Sequence, residues 1–456
     1  MSHQDLEEAI EELEEQFELS TDSLKRVAHC FREEMNRGIQ HEKANVPMLP
    51  SWITQHPTGQ ESGEYIGLEL SGATVRIYLV TLHGRGRITT RQQKYPIHDH
   101  LKRGPITDLI DYLAVSVDSF LSFIRYENNG QKLSLGFVLS FPLYQTAINK
   151  AYVMQWTKDF AVTGAQNKNL VDLLQTALRR RHIPVIVQAV CNGAVACLLA
   201  HCYRSLDTLL SCTVSTGTNA AYWEKISSIE KLNIKDKTGG GDDGEMIINT
   251  EWGSFGDYNA HYLPRTFYDN RVNRESSNPG VHIFEKMVSG MYLGEIVRQI
   301  MVDFADRRLL FNYQRSEDLN TPYAFEAPYM SAIESDETQE LDDTKHILES
   351  VMNIPKTTID DRRAVKRMCQ LVGQRAARLI AAGISSIIIK QDALDGGLTI
   401  SVEGNIYEHY PNFPNRVNEA LRDLYGHKVD RINLGITRDG NGIGGAVAAM
   451  LANAQK

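Results

Sequence analysis

Glycine recurs where apolar runs end, at Ser71-Gly72-Ala73, at Ser215-Thr216-Gly217-Thr218-Asn219 and at Arg438-Asp439-Gly440-Asn441-Gly442. Turns of this kind let backbone N–H groups close on a phosphate, because no Cβ holds the anion away. Glycine turns are also ordinary in hairpins, so anion binding is as far as these residues alone lead. Four of the six cysteines (Cys191, Cys197, Cys202, Cys212) fall close together. Their spacing lacks the CxxC knuckles of a structural zinc site. They are expected as small buried side chains in a reducing compartment, which places the chain inside the cell.

The elements that position these turns are legible in the pattern. Leu6, Ala9, Ile10, Leu13 and Phe17 predict an amphipathic helix over 5–18 with an acidic face. Thr21 reads as the N-cap of a second helix that stops at Gly38, and 41–62 reads as a linker. Strands are expected at 65–70, 74–82, 88–95, 133–140 and 185–190, with helices at 105–124, 169–182 and 194–202. The strand, polar turn and strand at 209–215 and 219–223 repeat the opening hairpin. Loops are expected at 237–245 and 334–343, and helices over 280–310 and 360–382. Strand 432–436 is followed by a glycine-rich loop and a helix over 446–454. Two hairpin-led α/β halves suggest a duplicated, two-lobed architecture whose turns face one cleft.

With 456 residues, 42% of them hydrophobic and 23% charged, the chain has the balance of a soluble globular protein. Its net charge of −9 comes without a basic cluster, so neither nucleic acid nor a membrane surface is expected as a direct partner. Leu379–Ile389, the longest apolar run, is too short to cross a bilayer. The acidic N-terminus has no hydrophobic core, so neither a signal nor a transit peptide is expected. Localisation is expected to be cytoplasmic, with the nucleus also open to the chain.

Longer motifs carry a resemblance. LGFVLSFPLYQ with WTKDF, INTEWGSFGD, LPRTFYDNRVNRESSNPGVHIFEKMVSGMYLGEIVR, GQRAARLIAAG, VEGNIYEHYPNF and RDGNGIGGAV are similar, in this order, to hexokinase segments. The chain resembles fungal hexokinases with one catalytic unit, over nearly its whole length. The resemblance implies an actin-like ATPase (ribonuclease H-like) α/β fold with two lobes around a central cleft. It divides the chain into N-terminal helices on the large lobe (1–59), a small lobe (60–193), a large lobe (194–435) and a return to the small lobe (436–456). Sugar contacts carry over to Ser140, Thr157, Lys158, Asn192, Asn219, Glu251 and Glu285. Amides and carboxylates of this kind suit the hydroxyls of a neutral polyol, although a single Asn is as readily a helix cap.

Departures from the family pattern are concentrated at the reacting end. Where the family has the Asp that takes the proton of the hexose 6-hydroxyl, AVCNGAVACLL has Gly193, which leaves no catalytic base. The first phosphate loop becomes Glu69-Leu70-Ser71-Gly72-Ala73-Thr74-Val75-Arg76, keeping Glu69, Gly72 and Arg76 but losing a glycine and a threonine. The second keeps Thr216 and Gly217 and has Ser215 for glycine. Glu403-Gly404 and Asp439-Gly440 hold the adenosine side with mild changes. Each replaced glycine adds a Cβ, with strain where φ is positive. The expectation is a hexose-binding, catalytically inactive regulator resembling the non-catalytic hexokinase-like proteins of filamentous fungi. Glucose is its ligand and an unidentified regulatory protein its partner. No metal ligand and no required cofactor are expected, and the Mg-ATP seat is degraded. Two alternatives stay open. One is a weak ATP:hexose 6-phosphotransferase in which Asp159 beside Lys158 replaces the base. The other is an interaction scaffold without ligand.

Overall fold

Buried apolar runs at 66–70 and 133–139 need cover on both faces, and the chain supplies it with helices on either side of its sheets. The computed structural model describes residues 3–127, 130–157, 160–232 and 244–454. A short strand β1 (Leu49–Pro50) precedes the hairpin strands β2 (Ser62–Ser71), β3 (Thr74–His83) and β4 (Ile88–Pro96). Then come β5 (Leu133–Leu139), a small hairpin β6–β7 (Leu143–Ala147, Lys150–Val153) and β8 (Val185–Asn192). The second half holds β9 (Thr208–Val214), β10 (Thr218–Lys225), β11 (Glu245–Asn249), β12 (Leu398–Glu403) and β13 (Ile432–Ile436).

The first sheet runs β4-β3-β2-β5-β8 and the second β1-β11-β10-β9-β12-β13. Counted within each half, both read third, second, first, fourth, fifth strand, with three antiparallel strands followed by two parallel ones. The duplication inferred from the two hairpins is therefore present in the strand order itself.

Three cores follow. One joins the first sheet to helices Ile106–Phe123 and Leu170–Arg180. A second packs the N-terminal helices against the second sheet and the long helix Ile359–Gln391. The third lies between the sheets, where helices Gly193–Cys202 and Gly440–Ala454 pack on each other. Those two helices matter most for function, because their N-termini open into the space between the lobes.

The long helix is apolar enough in composition to cross a membrane, but it is mostly buried in protein as the spine of the second core. Within that core Arg375 is fully buried, donates to both oxygens of Asp269 (2.7 and 2.6 Å) and lies over the Phe17 ring at 4.2 Å. Arg375→Leu strands a buried carboxylate, so a urea titration is expected to show a loss of about 3–5 kcal/mol. A loss under about 1 kcal/mol would show the pair to be expendable.

Several boundaries differ from the pattern. Ser20, not Thr21, caps the second helix, its hydroxyl accepting from the Ser23 amide at 3.2 Å. That helix continues to Gln40 because Gly38 is a packing glycine: a Cβ there would stand 2.0 Å from the Val46 carbonyl. The region 280–310 is two helices, Ile283–Val288 and Gly290–Asp306, and 360–382 extends to Gln391. The acidic segment 334–343 is partly helical, entering Asp342–His346. Linker 41–62 contributes β1 to the second sheet. The C-terminal glycines form no loop: the helix begins at Gly440 and lies on the first sheet. A Cβ on Gly67 would meet the Gly442 carbonyl at 2.0 Å, and one on Gly136 the Gly445 carbonyl at 1.8 Å. Loop 237–245 falls largely outside the described residues.

Candidate functional site: the interlobe cleft

The cleft between the sheets encloses about 670 Å³. Its wall brings together Ser140, Thr157, Asn192, Asn219, Glu251 and Glu285 with Gly193, Glu69, Arg76, Thr216, Gly217, Glu403, Gly404 and Asp439. Lys158 and Asp159 lie outside the described residues. Gly72 and Gly440 do not line the cleft. Gly72 sits at the hairpin tip with nothing near its Cβ position, and the Cβ position of Gly440 is filled by Glu403 and Thr437, both at 2.8 Å.

One end of the cleft is a web of amides around a carboxylate. Glu251 Oε1 accepts from Asn249 (2.8 Å), Asn192 (3.3 Å) and Asn219 (3.3 Å). Asn219 also donates to Asn249 Oδ1 at 2.8 Å and Asn192 Oδ1 at 3.2 Å. Asn192 ends β8 and caps the next helix, accepting from the Ala194 amide at 2.9 Å. The cap and the cleft contact are thus the same side chain. Glu285 accepts from the Thr218 amide at 2.9 Å, and a Cβ on Gly217 would stand 2.6 Å from its oxygen. Glu251 (φ 52°), His282 (φ 57°) and Asp439 (φ 55°) all sit in the left-handed region. Non-glycine residues there carry strain, but these are three of eighteen among the described residues, so the conformation does not single out the cleft.

The other end is acidic. Glu69, at the end of β2, accepts from Asn441 Nδ2 at 2.9 Å and faces Arg76 at 3.9 Å. Glu69 Oε2 and Arg76 Nε are buried without a hydrogen-bond partner among the described residues. Asp439 accepts from the Tyr78 hydroxyl at 3.3 Å. The Cys197 thiol donates to Glu403 and, at 3.4 Å, lies against Asn441 Oδ1. Arg438 also lines this end, paired with Glu408 at 3.1 Å. Two arginines that each already face a carboxylate, with Glu403 and Asp439 beside them, make a poor seat for a triphosphate by their charges. Among the described residues no His, Cys, Asp and Glu cluster has the geometry of a metal site.

Burial, with Glu69 and Asp439 nearby, pushes the Glu403 carboxyl up to about 7, against 4.5 ordinarily, despite the help of Cys197 and the Gly440 amide. The folded chain therefore holds a proton that the unfolded chain releases between about pH 4.5 and 7. Stability falls as pH rises through that window, by about 3 kcal/mol. Glu403→Gln is expected to narrow the difference between melting temperatures at pH 5 and pH 8. An unchanged difference contradicts the assignment.

The condition set for strain at the phosphate loops is not met. Neither Ser71 nor Ser215 has a positive φ, and neither does Ala73, so losing glycine or threonine there introduces no backbone strain. What remains is the bulk of the added side chains. Sequence reasoning gave no cleft role to Asn249, Asn441 or Cys197, reading Cys197 as a buried small side chain. Cys197 is one helical turn from Gly193, a spacing that places the pair on one face, whereas Glu251 lies beyond the end of β11 with a left-handed backbone, so no strand period signals its contact with Asn249.

Two hexokinase family models match this chain, one over residues 9–203 and the other over 209–451. It is 35% identical to a hexokinase of Kluyveromyces lactis, covering 98% of this chain and 92% of the relative. It is also 35% identical to Hexokinase-1 of Saccharomyces cerevisiae, at 98% and 93% coverage. A solved hexokinase of Schistosoma mansoni, complexed with glucose, superposes with a TM-score of 0.89 at 33% identity, covering 99% of this chain and all of that one. Both halves of the sequence, the duplicated sheets and the cleft they enclose thus place the chain in the hexokinase family, with its actin-like ATPase fold.

Proposed function

We propose that this hexokinase relative binds a hexose, glucose first among them, without transferring phosphate to it, and serves as an intracellular regulator of carbon-source responses through a protein partner. One observation carries the reading. Beside the amide and carboxylate web, at the head of helix Gly193–Cys202, stands a glycine whose side-chain volume is filled by Asn441. Nothing at that position can accept a proton.

The chain's own residues account for binding. Asn192 and Asn219 hold their amides toward Glu251, and Glu285 is fixed by a backbone amide, so donors and acceptors are arranged before the sugar arrives. Such preset polar groups discriminate between polyols, because a missing hydroxyl leaves one of them unpaired. Ser140 and Thr157 reach the same cleft from the first lobe. A sugar touching both lobes favours their closure, and closure is what a partner can read. The cytoplasm is the proposed compartment, with the nucleus reached in company of the partner.

Small-angle X-ray scattering with saturating glucose tests the readout. The radius of gyration is expected to fall relative to the unliganded protein. An unchanged radius in glucose-bound protein would remove closure as the signal.

A further inference from the structure

An ideal Cβ on Gly193 would stand 2.9 Å from Asn441 Oδ1 and 3.6 Å from its Cγ and Nδ2. The obstructing atom ends a side chain, but that side chain is held. Its Nδ2 donates to Glu69 at 2.9 Å, and its Oδ1 lies 3.4 Å from the Cys197 thiol. A carboxylate accepts only, so the amide NH₂ must face Glu69 and the carbonyl must face Gly193. Turning the amide over would set its oxygen against Glu69. Glu69 and Cys197 are 3% and 1% exposed, so water cannot readily repair either arrangement.

We propose that Asn441 is the positioning partner of Gly193. Its carboxamide takes the volume a side chain at 193 would need, and bolts β2, through Glu69, to the interlobe helices Gly193–Cys202 and Gly440–Ala454. The two positions are therefore energetically coupled. An aspartate at 193 meets the Asn441 carbonyl acceptor to acceptor, and its Cβ pushes that carbonyl from its place. A smaller residue at 441 leaves a void beside Gly193 and takes from Glu69 a hydrogen bond, when its other oxygen already has none. The inference deepens the reading of Gly193 as a vacated base position and rests on it for its functional consequence. Its structural core is the coupling itself, which needs no activity to be seen.

The test is a double-mutant cycle on the full chain: wild type, Gly193→Asp, Asn441→Ser and both. Melting temperature and calorimetric glucose affinity are read on each. Each single change is expected to lower the melting temperature by roughly 2 °C or more. The double variant should lose less than half the sum of the two, since neighbours sharing one volume do not add. Glucose affinity should drop in Gly193→Asp and recover in the double variant. Additive losses, or a Gly193→Asp protein that melts like wild type, would overturn the proposal. Should Gly193→Asp fail to fold, Gly193→Ala in the same cycle tests the Cβ contact alone, with the same expected sign. Phosphoryl transfer separates this inference from the one beneath it. Coupling in the cycle together with ordinary wild-type turnover would refute the inactive reading and leave the pairing of 193 and 441 intact. Additivity with no turnover would do the reverse.

Discussion

Supplied with saturating glucose and Mg-ATP, the wild-type protein is expected to release ADP about 10²–10⁴ times more slowly than a hexokinase with a base in place. That factor corresponds to roughly 3–5 kcal/mol of barrier. It follows from Gly193, which heads helix Gly193–Cys202 directly after Asn192 and has no group to take a proton. Phosphoryl transfer depends on positioning and charge stabilisation, so the acid-rich phosphate end should deepen the deficit. Gly193→Asp by itself is not expected to restore the rate, since its Cβ lands 2.9 Å from Asn441 Oδ1. A coupled ADP assay checks both. Wild-type turnover at ordinary hexokinase rates would end the inactive reading.

The second large effect belongs to Glu251. Its Oε1 collects the amides of Asn192, Asn219 and Asn249, so Glu251→Ala removes the common acceptor and takes from Asn249 its acceptor, while Asn192 keeps the Phe141 carbonyl and Asn219 keeps Asn249 Oδ1. Unpaired amides at a binding surface cost about 1–3 kcal/mol. Hexose affinity is therefore expected to drop roughly 100-fold. Glu251 is only partly buried, so the fold should survive, and a melting curve alongside the glucose titration separates the two causes. Unchanged affinity in a folded variant would remove Glu251 from the sugar site.

Much of this architecture could be read from residues. The hairpins at Gly72 and Gly217 announced two α/β halves, and continuous apolar runs such as Leu133–Leu139 marked central strands. Strands β11 and β12 escaped notice, the first behind a polar glycine loop and the second despite the strict apolar–polar alternation of LTISVE, which is itself a strand signal. The C-terminal glycines misled because glycine serves phosphate loops and close packing alike. Only the approach of Gly442 and Gly445 to the glycines of β2 and β5 decides between them. At the site, the motifs named the cleft residues, but not how they hold one another. That Asn192 is cap and cleft donor at once depends on Glu251, 59 residues further on, and that Asn441 fills the space over Gly193 depends on contacts spanning more than 240 residues of chain. Composition and period carry no record of such pairings.

The most direct measurement is a calorimetric titration of the purified protein with glucose in the absence of nucleotide. Saturable binding with a dissociation constant in the millimolar range or tighter, about −4 kcal/mol or more favourable, is the expected result. No heat, together with no competition from other hexoses, would contradict the account and leave the cleft without its sugar.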